Sequence, residues 1–467
     1  MTRHAPPRLA RIVGLSPVLA ACFAILLVRA GLGFQFPPPW PDETAFIPPA
    51  YDLATSGSMF EVGLDQHRVL MWMPPGHTLI LALCFKLFGY SYALARWLSA
   101  ACQLLALLAA VAIVRRQVAD ARRYLAYGIV GLAFLAPYTL IDANIARMDA
   151  MLGASIMLAL LAGVSGRLYV MASLVAASAV IHFNAVYFVP AVLLSAVFDL
   201  ITRRLRWPTA ADWLAMVIAV LVLAAYSLYA GLHWRDFLHD MRFQFAVHAR
   251  AAALDQARNG WMLWWAIALT VVRALSVRGI DASVRVAMFG AGFIAMSLHG
   301  HELWYDYGRP VGFSLIGVAW LSGAARRGAW LGALAAAGLT LVGGYRIDSQ
   351  MRALMVRPAM LSGDFLPPAE IDRVRSFIRH LHPGATVNFG CTGIENYFLA
   401  DLRAAKAHWI IFQNGVTDPL PLRPSDWNVV CDSPEIPPVL RQFEPGLSRV
   451  PGATGCRIFA GDSHRTP

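Results

Sequence analysis

Lysine is almost absent from this chain: Lys86 and Lys406 are the only two in 467 residues. Charged residues of both signs make up only 14% of it, well under the roughly 25% of an average soluble protein. That scarcity excludes an ordinary soluble enzyme and also a disordered chain, which depends on charge to stay solvated. Six cysteines, half of them inside apolar runs, are too few for a disulfide scaffold. There is no internal repeat and no low-complexity tract. What is present in excess is apolar surface, with 58% hydrophobic residues and a mean hydropathy of +0.54. The formal charge of +11 comes from arginines in short clusters between apolar runs. A polytopic membrane protein marks its cytoplasmic loops in this way, so the expected surroundings are membrane lipids and no nucleic acid is expected as a partner.

A bilayer core takes about 20 apolar residues as helix, because lipid leaves no backbone group a partner. Runs that reach or approach this length are Ile12–Gly33, Ala93–Val114, Tyr124–Ile141 and Ala150–Val164. Leu168–Val197 is too long for one span, and His182-Phe183-Asn184 in its middle points to two helices meeting at a turn. Trp213–Gly231, Trp261–Val277, Val284–Leu298, Val311–Ala324 and Trp330–Tyr345 complete about eleven spans. Arg3, Arg8 and Arg11 place the N-terminus inside, and Arg115, Arg116, Arg122 and Arg123 mark the next cytoplasmic loop. Only one crossing separates them from the first outer loop, and Ala93–Val114 supplies it. The shorter apolar stretch Pro75–Gly89 is therefore expected to lie at the outer interface rather than to cross.

The outer face is then 34–73, 142–149, 182–184, 233–260, 299–310 and everything after about Arg346. Composition changes in that last part, where short apolar runs at Thr386–Phe389, Trp409–Phe412, Val429-Val430 and Arg457–Ala460 read as strands. Helical periodicity appears at Glu370–Leu381. The expected division is 1–346 as a transmembrane domain and 347–467 as a small outer-side α/β domain. Cys391, Cys431 and Cys456 lie there, where oxidation is possible; one disulfide can form, and the pair is left open.

Two acidic sites could carry chemistry. Asp42-Glu43 follow a proline-rich stretch just past the first span. They fit the acidic first turn of a helix, and equally a general base or metal ligands. Asp142-Ala-Asn144-Ile-Ala-Arg147-Met-Asp149 opens a later helix; Arg147 and Asp149 are two apart and do not stack on one helix face. They are either a capped helix with a surface ion pair or part of a common cavity with Asp42. His182 interrupts an apolar run, where polar groups often mark function, although a turn histidine bonded to a carbonyl is an equally simple reading. The cluster His299-Gly-His301-Glu302-Leu-Trp304-Tyr305-Asp306-Tyr307-Gly-Arg309 is the densest polar and aromatic group beside a span. Its His-x-His-Glu spacing is too short for opposed zinc ligands on one helix, and an aromatic belt with an Arg anchor explains it as well. The stretch 233–260 alternates aromatics with Arg235, Arg242, His248 and Arg250, as an interfacial segment or a solvated loop would.

Asp42-Glu43, then Pro74-Pro75-Gly-His-Thr-Leu, Phe88-Gly89-Tyr-Ser-Tyr-Ala-Leu-Ala-Arg96 and Arg147-Met-Asp149 together resemble the GT-C superfamily of membrane glycosyltransferases. The nearest likeness is to its protein O-mannosyltransferase-like and lipid A aminoarabinose-transferase-like branch. The resemblance implies transfer of a sugar from a polyprenyl-phosphate carrier to a hydroxyl acceptor (glycan, lipid or protein) on the outer side, with inversion. It implies Asp42 as the general base, with Glu43 and Asp149 beside it. Relatives carry a charged pair before the double proline where this chain has Trp72-Met73, so His67 and Arg68 are the substitutes as phosphate contacts. Arg147, His182, His301, Tyr305 and Arg309 are the remaining candidates for donor phosphate or sugar. No cofactor is required by this scheme; a divalent ion on Asp42, Glu43 and Asp149 is left open. The expected fold is a polytopic α-helical membrane protein with interfacial helices in the first outer loop. The expected place is a bacterial inner membrane, the site facing the periplasm or cell-wall space. A transporter or flippase of lipid-linked sugars is the alternative, or a non-catalytic relative.

Overall fold

The computed structural model describes residues 16–26, 41–59, 73–298, 307–322, 327–345, 368–389, 394–411, 426–431 and 456–460. It is a polytopic helical membrane protein. Helix α1 (Ser16–Leu26) is followed by a 3-10 turn at Pro41–Ala45, α2 (Ile47–Ser56) and α3 (Gly76–Phe88). Next come α4 (Tyr92–Gln117), α5 (Asp120–Leu135), α6 (Pro137–Asp142), α7 (Met148–Val164) and α8 (Leu168–Ser178). The bundle continues with α9 (Val189–Ile201), α10 (Ala210–Leu232), α11 (Trp234–Val277), α12 (Ala282–Ser297), α13 (Gly308–Leu321) and α14 (Arg327–Tyr345). Among the described residues four helical stretches are both long and apolar enough to cross a bilayer: Tyr92–Gln117, Phe183–Ile201, Ala210–Leu232 and Asn259–Val277. Shorter apolar helices pack between them.

Two segments depart from the sequence reading. The run Tyr124–Ile141 is not one helix but breaks at Ala136, which is extended at ψ 139° before Pro137 starts α6. Proline lacks an N–H and pushes its predecessor out of helical geometry. The stretch 233–260 is not a loop: it is the first part of the 44-residue α11, about 66 Å long at helical rise, whose last part is the span at Asn259–Val277. By contrast, the turn at His182–Asn184 divides the long run as its polar residues imply, into α8 and α9 with a 3-10 segment at Phe183–Phe188 between them.

Helices α4, α5, α7, α8, α12 and α13 share one continuous apolar core. At the crossing of α12 and α13, Gly290 and Gly312 face each other so closely that a Cβ on either would lie 2.5 Å from the other's carbonyl oxygen. Small residues of this kind let membrane helices approach where no hydrophobic effect drives them together.

After α14 the chain forms α15 (Pro368–Arg379), β1 (Thr386–Phe389), α16 (Leu399–Ala404), β2 (His408–Ile411), β3 (Trp427–Cys431) and β4 (Cys456–Ala460). The sheet order is β2-β1-β3-β4, with β1 parallel to both its neighbours and β3 antiparallel to β4. Cys456 is disulfide-bonded; its partner lies outside the described side chains. Val374, Val387, Phe389 and Phe398 of this unit join Ile47, Leu81, Phe85 and Tyr92 in one apolar cluster, so the sheet unit packs on α2, α3 and the start of α4. Arg403 also donates to Asp52 at 2.9 Å, and Tyr397 meets the Tyr92 ring edge-on at 5.0 Å.

The bundle has two chemically distinct ends. At one, Arg122 donates to the Leu321 carbonyl and lies against Trp330. Asp199 pairs with Arg285 there at 2.5 Å, and Arg285 also reaches the Gly163 carbonyl. These contacts gather the arginine-rich turns on a single side. The opposite end holds the first loop, the starts of α4, α7 and α13, and the sheet unit.

Candidate functional site

The site grows from the start of α7. Arg147 caps that helix in extended conformation, φ −131° and ψ 163°. Outside the helix its side chain can turn back, and its Nε donates to Asp149 Oδ2 at 2.9 Å. The i,i+2 spacing that forbids a pair inside a helix is thus bridged at its margin. Both side chains are buried, at 2% and 1% exposure, so the surface ion pair is excluded. A buried carboxylate is retained only where charge and hydrogen bonds compensate it.

His182 stands opposite. Its Nδ1 accepts from the Asn184 backbone N–H at 2.9 Å, which leaves the proton on Nε2 in the neutral ring. Nε2 faces Asp149 Oδ1 at 3.7 Å. His182 therefore binds a backbone N–H rather than the carbonyl that a simple turn histidine would take, and its other nitrogen looks into the acidic site. Tyr307 donates to the Asp149 carbonyl at 3.1 Å, which brings the start of α13, with buried Arg309, to the same end.

The first loop is tied to this cluster through Glu43. Its carboxylate takes both Arg96 nitrogens, Nε at 2.7 Å and Nη2 at 2.6 Å, the Tyr92 hydroxyl at 2.5 Å and the Ala146 N–H at 2.8 Å. Glu43 and Arg96 are both fully buried, and the Arg96 guanidinium lies over the Tyr92 ring at 4.8 Å. Burial alone would raise the Glu43 carboxyl. The Arg96 charge, with the hydrogen bonds from Arg96, Ala146 and Tyr92, outweighs it and holds the group below the usual carboxylate range. Ala45 and Phe46 pack on Met148. Residues 43–46 are thereby locked against the start of α7, and the backbone of Asp42 belongs to the same 3-10 turn.

Gly76 fixes the approach of α3. Its N–H donates to the Val180 carbonyl at 2.8 Å, and a Cβ there would lie 2.5 Å from that oxygen. This contact brings His77 under Phe46 and into electrostatic reach of Asp149 and Arg147. Asp142, at the end of α6, accepts from Gln103 at 2.8 Å and is also within reach of Asp149 and Arg147.

Of the residues singled out from sequence, Arg147, Asp149 and His182 meet directly, Glu43 anchors the first loop beside them, and Arg309 stands at the adjoining helix end. The side chain of Asp42, and His67, Arg68, His301 and Tyr305, lie outside the described residues. Among the described residues no group of three or more metal-ligating side chains is gathered. Sequence reasoning gave no role to Arg96 or His77. An arginine four residues into an apolar span was the available signal for the first. A histidine behind a double proline was the only signal for the second.

No known family profile matches the sequence, and no curated protein is significantly similar to it. The helical membrane bundle, with its buried polar site at one end and a small sheet unit packed there, is a fold already seen in solved structures. Two solved structures share it. ArnT from Cupriavidus metallidurans bound to undecaprenyl phosphate has a TM-score of 0.55 at 14% identity, covering 97% of both chains. The same protein in the apo state has a TM-score of 0.54 at 15% identity, again over 97% of both. At that identity the likeness is one of fold.

Proposed function

We propose that this protein is an integral-membrane glycosyltransferase that moves a sugar from a polyprenyl-phosphate carrier to a hydroxyl acceptor, with inversion. The observation that carries the proposal is the buried Arg147–Asp149–His182 cluster, joined through Ala146 and Glu43 to the loop that bears Asp42. An end-to-end fold match to a protein solved with undecaprenyl phosphate supports the donor class. In this scheme Asp42 takes the proton of the acceptor hydroxyl as its oxygen attacks the anomeric carbon. The bond from that carbon to the phosphate oxygen breaks, and the lipid phosphate leaves with the electron pair. A leaving group already charged needs cations rather than an acid, and Arg147 and Arg309 are the candidates at this end, Arg96 being engaged by Glu43. A flippase should carry ionisable groups near the bilayer midplane; among the described residues they gather at the two ends instead. Arg273, the partial exception, is tied to Ser283 at the arginine-rich end.

Purified protein in nanodiscs should bind undecaprenyl phosphate and transfer sugar from its glycosylated form to added membrane lipid or glycan. Protein that binds neither the bare nor the glycosylated lipid would sink this reading.

The sidedness that goes with it is N-terminus inside, about eleven spans, and the site and sheet unit on the outer side of a bacterial inner membrane. The gathering of arginine-rich turns at one end supports it, as does a disulfide in the sheet unit. Asp120 and Asp372 both have exposed side chains, at 72% and 73%. In whole cells an impermeant thiol reagent should label Asp372→Cys and miss Asp120→Cys; the reverse pattern inverts the topology.

A further inference from the structure

His77 is a buried titratable group that the scheme above leaves idle. It occupies the second position of α3 at 1% exposure, and neither ring nitrogen meets a hydrogen-bond partner among the described residues. Leaving a buried polar group in that condition is costly, since its hydration is lost and nothing replaces it. Phe46 covers one side of the ring edge-on, at 5.4 Å between centroids. Asp149 and Arg147 are the charged groups that act on it. A second orphan belongs to the same cluster: Asp149 Oδ1, the oxygen turned towards His182, has no hydrogen-bond partner either.

The chemistry of these two groups selects what would satisfy them. Burial pushes the His77 imidazole down to about 4, against the raising effect of Asp149 and with the lowering effect of Arg147. The ring is neutral at physiological pH and offers one N–H donor and one bare acceptor nitrogen. Asp149 Oδ1 offers acceptance only. A phosphate oxygen beside that carboxylate would be repelled, whereas a hydroxyl, donor and acceptor at once, can pair with either group. Phosphate has its own cations in Arg147 and Arg309.

We propose that His77 and Asp149 form a sugar subsite at the start of α3, hydrogen-bonding hydroxyls of the glycosyl group on the lipid donor. The proposal rests on the transferase reading and names the part of the donor that this corner takes. His77 supplies recognition and not proton transfer, and it settles which sugar is accepted rather than how fast the bond breaks.

The test is binding of short-chain polyprenyl phosphate, bare or carrying glucose, mannose, galactose or arabinose, to the full-length protein in nanodiscs. The wild type should bind at least one glycosylated lipid about tenfold tighter than the bare one, the worth of one or two net hydrogen bonds. His77→Phe should erase that preference while its affinity for bare lipid stays within about twofold. His77→Gln, which keeps a donor and an acceptor, should retain part of it. A wild type without preference, a preference that survives in His77→Phe, or an equal loss for bare lipid overturns the subsite. A variant altered only in the KM of the acceptor also overturns it, since the hydroxyls would then be the acceptor's. The transferase reading survives every one of these outcomes, because it fails only if the wild type binds no polyprenyl phosphate at all.

Discussion

Asp42→Asn is expected to lower sugar transfer by about 10²–10⁴-fold, the usual worth of a positioned general base, while the protein still inserts and still binds undecaprenyl phosphate. The expectation starts from the neighbour. Glu43 is held by four hydrogen bonds from three residues in two parts of the chain, and so the 3-10 turn that contains Asp42 has almost no freedom to shift. The amide keeps the size of the carboxyl and removes only its ability to take a proton. Single-turnover transfer, measured beside lipid binding, separates the two effects. A variant that transfers at the normal rate removes Asp42 from the chemistry. One that fails to insert returns it to the role of an acidic first-turn residue.

Arg96→Met should be destabilising by about 3–5 kcal/mol, because it leaves the Glu43 carboxylate buried and unpaired. The effect should be visible as a large fall in the unfolding temperature of the detergent-solubilised protein, or as loss of the protein from the membrane fraction. Glu43→Gln leaves the guanidinium as the uncompensated charge and should fall in the same direction. The double variant should lose less than the sum of the two, since it removes both charges. Additive losses would mean that the pair is not the unit holding the first loop. The sign of the pH dependence follows from the lowered Glu43 group. Its contribution is complete above the ordinary carboxylate value of about 4.3, and disappears as pH falls through the lower value of the folded state. Neutral pH therefore keeps all of it. The same variants should loosen the sheet unit, because Arg96 lies over Tyr92 and Tyr92 meets Tyr397.

Much of the candidate site was legible before any coordinates. His182 stands out because a polar residue inside a bilayer-length apolar pattern has few reasons to be there, and Arg147 and Asp149 because they are charged and sit between two apolar runs. The roles within the set were not legible. Glu43 looks like Asp42 in sequence, as the second of two adjacent acids, yet it is a fully satisfied anchor. Arg147 and Asp149 cannot stack in a continuous helix; they pair because the helix begins between them. His77 has no local signature at all beyond its place behind two prolines.

Composition and the spacing of apolar runs were enough, by themselves, to determine that this is a multi-pass helical protein and which turns are basic. Lipid makes this possible, since it forces each crossing to satisfy its own backbone within one stretch of chain. Even there, a single proline broke one span, and 233–260 continued as helix into α11. Only the tertiary structure decided which polar groups meet. Glu43 and Ala146 are 103 residues apart. Their contact depends on how α4, α7 and the first loop pack, and a buried charge takes whatever partner that packing brings within reach.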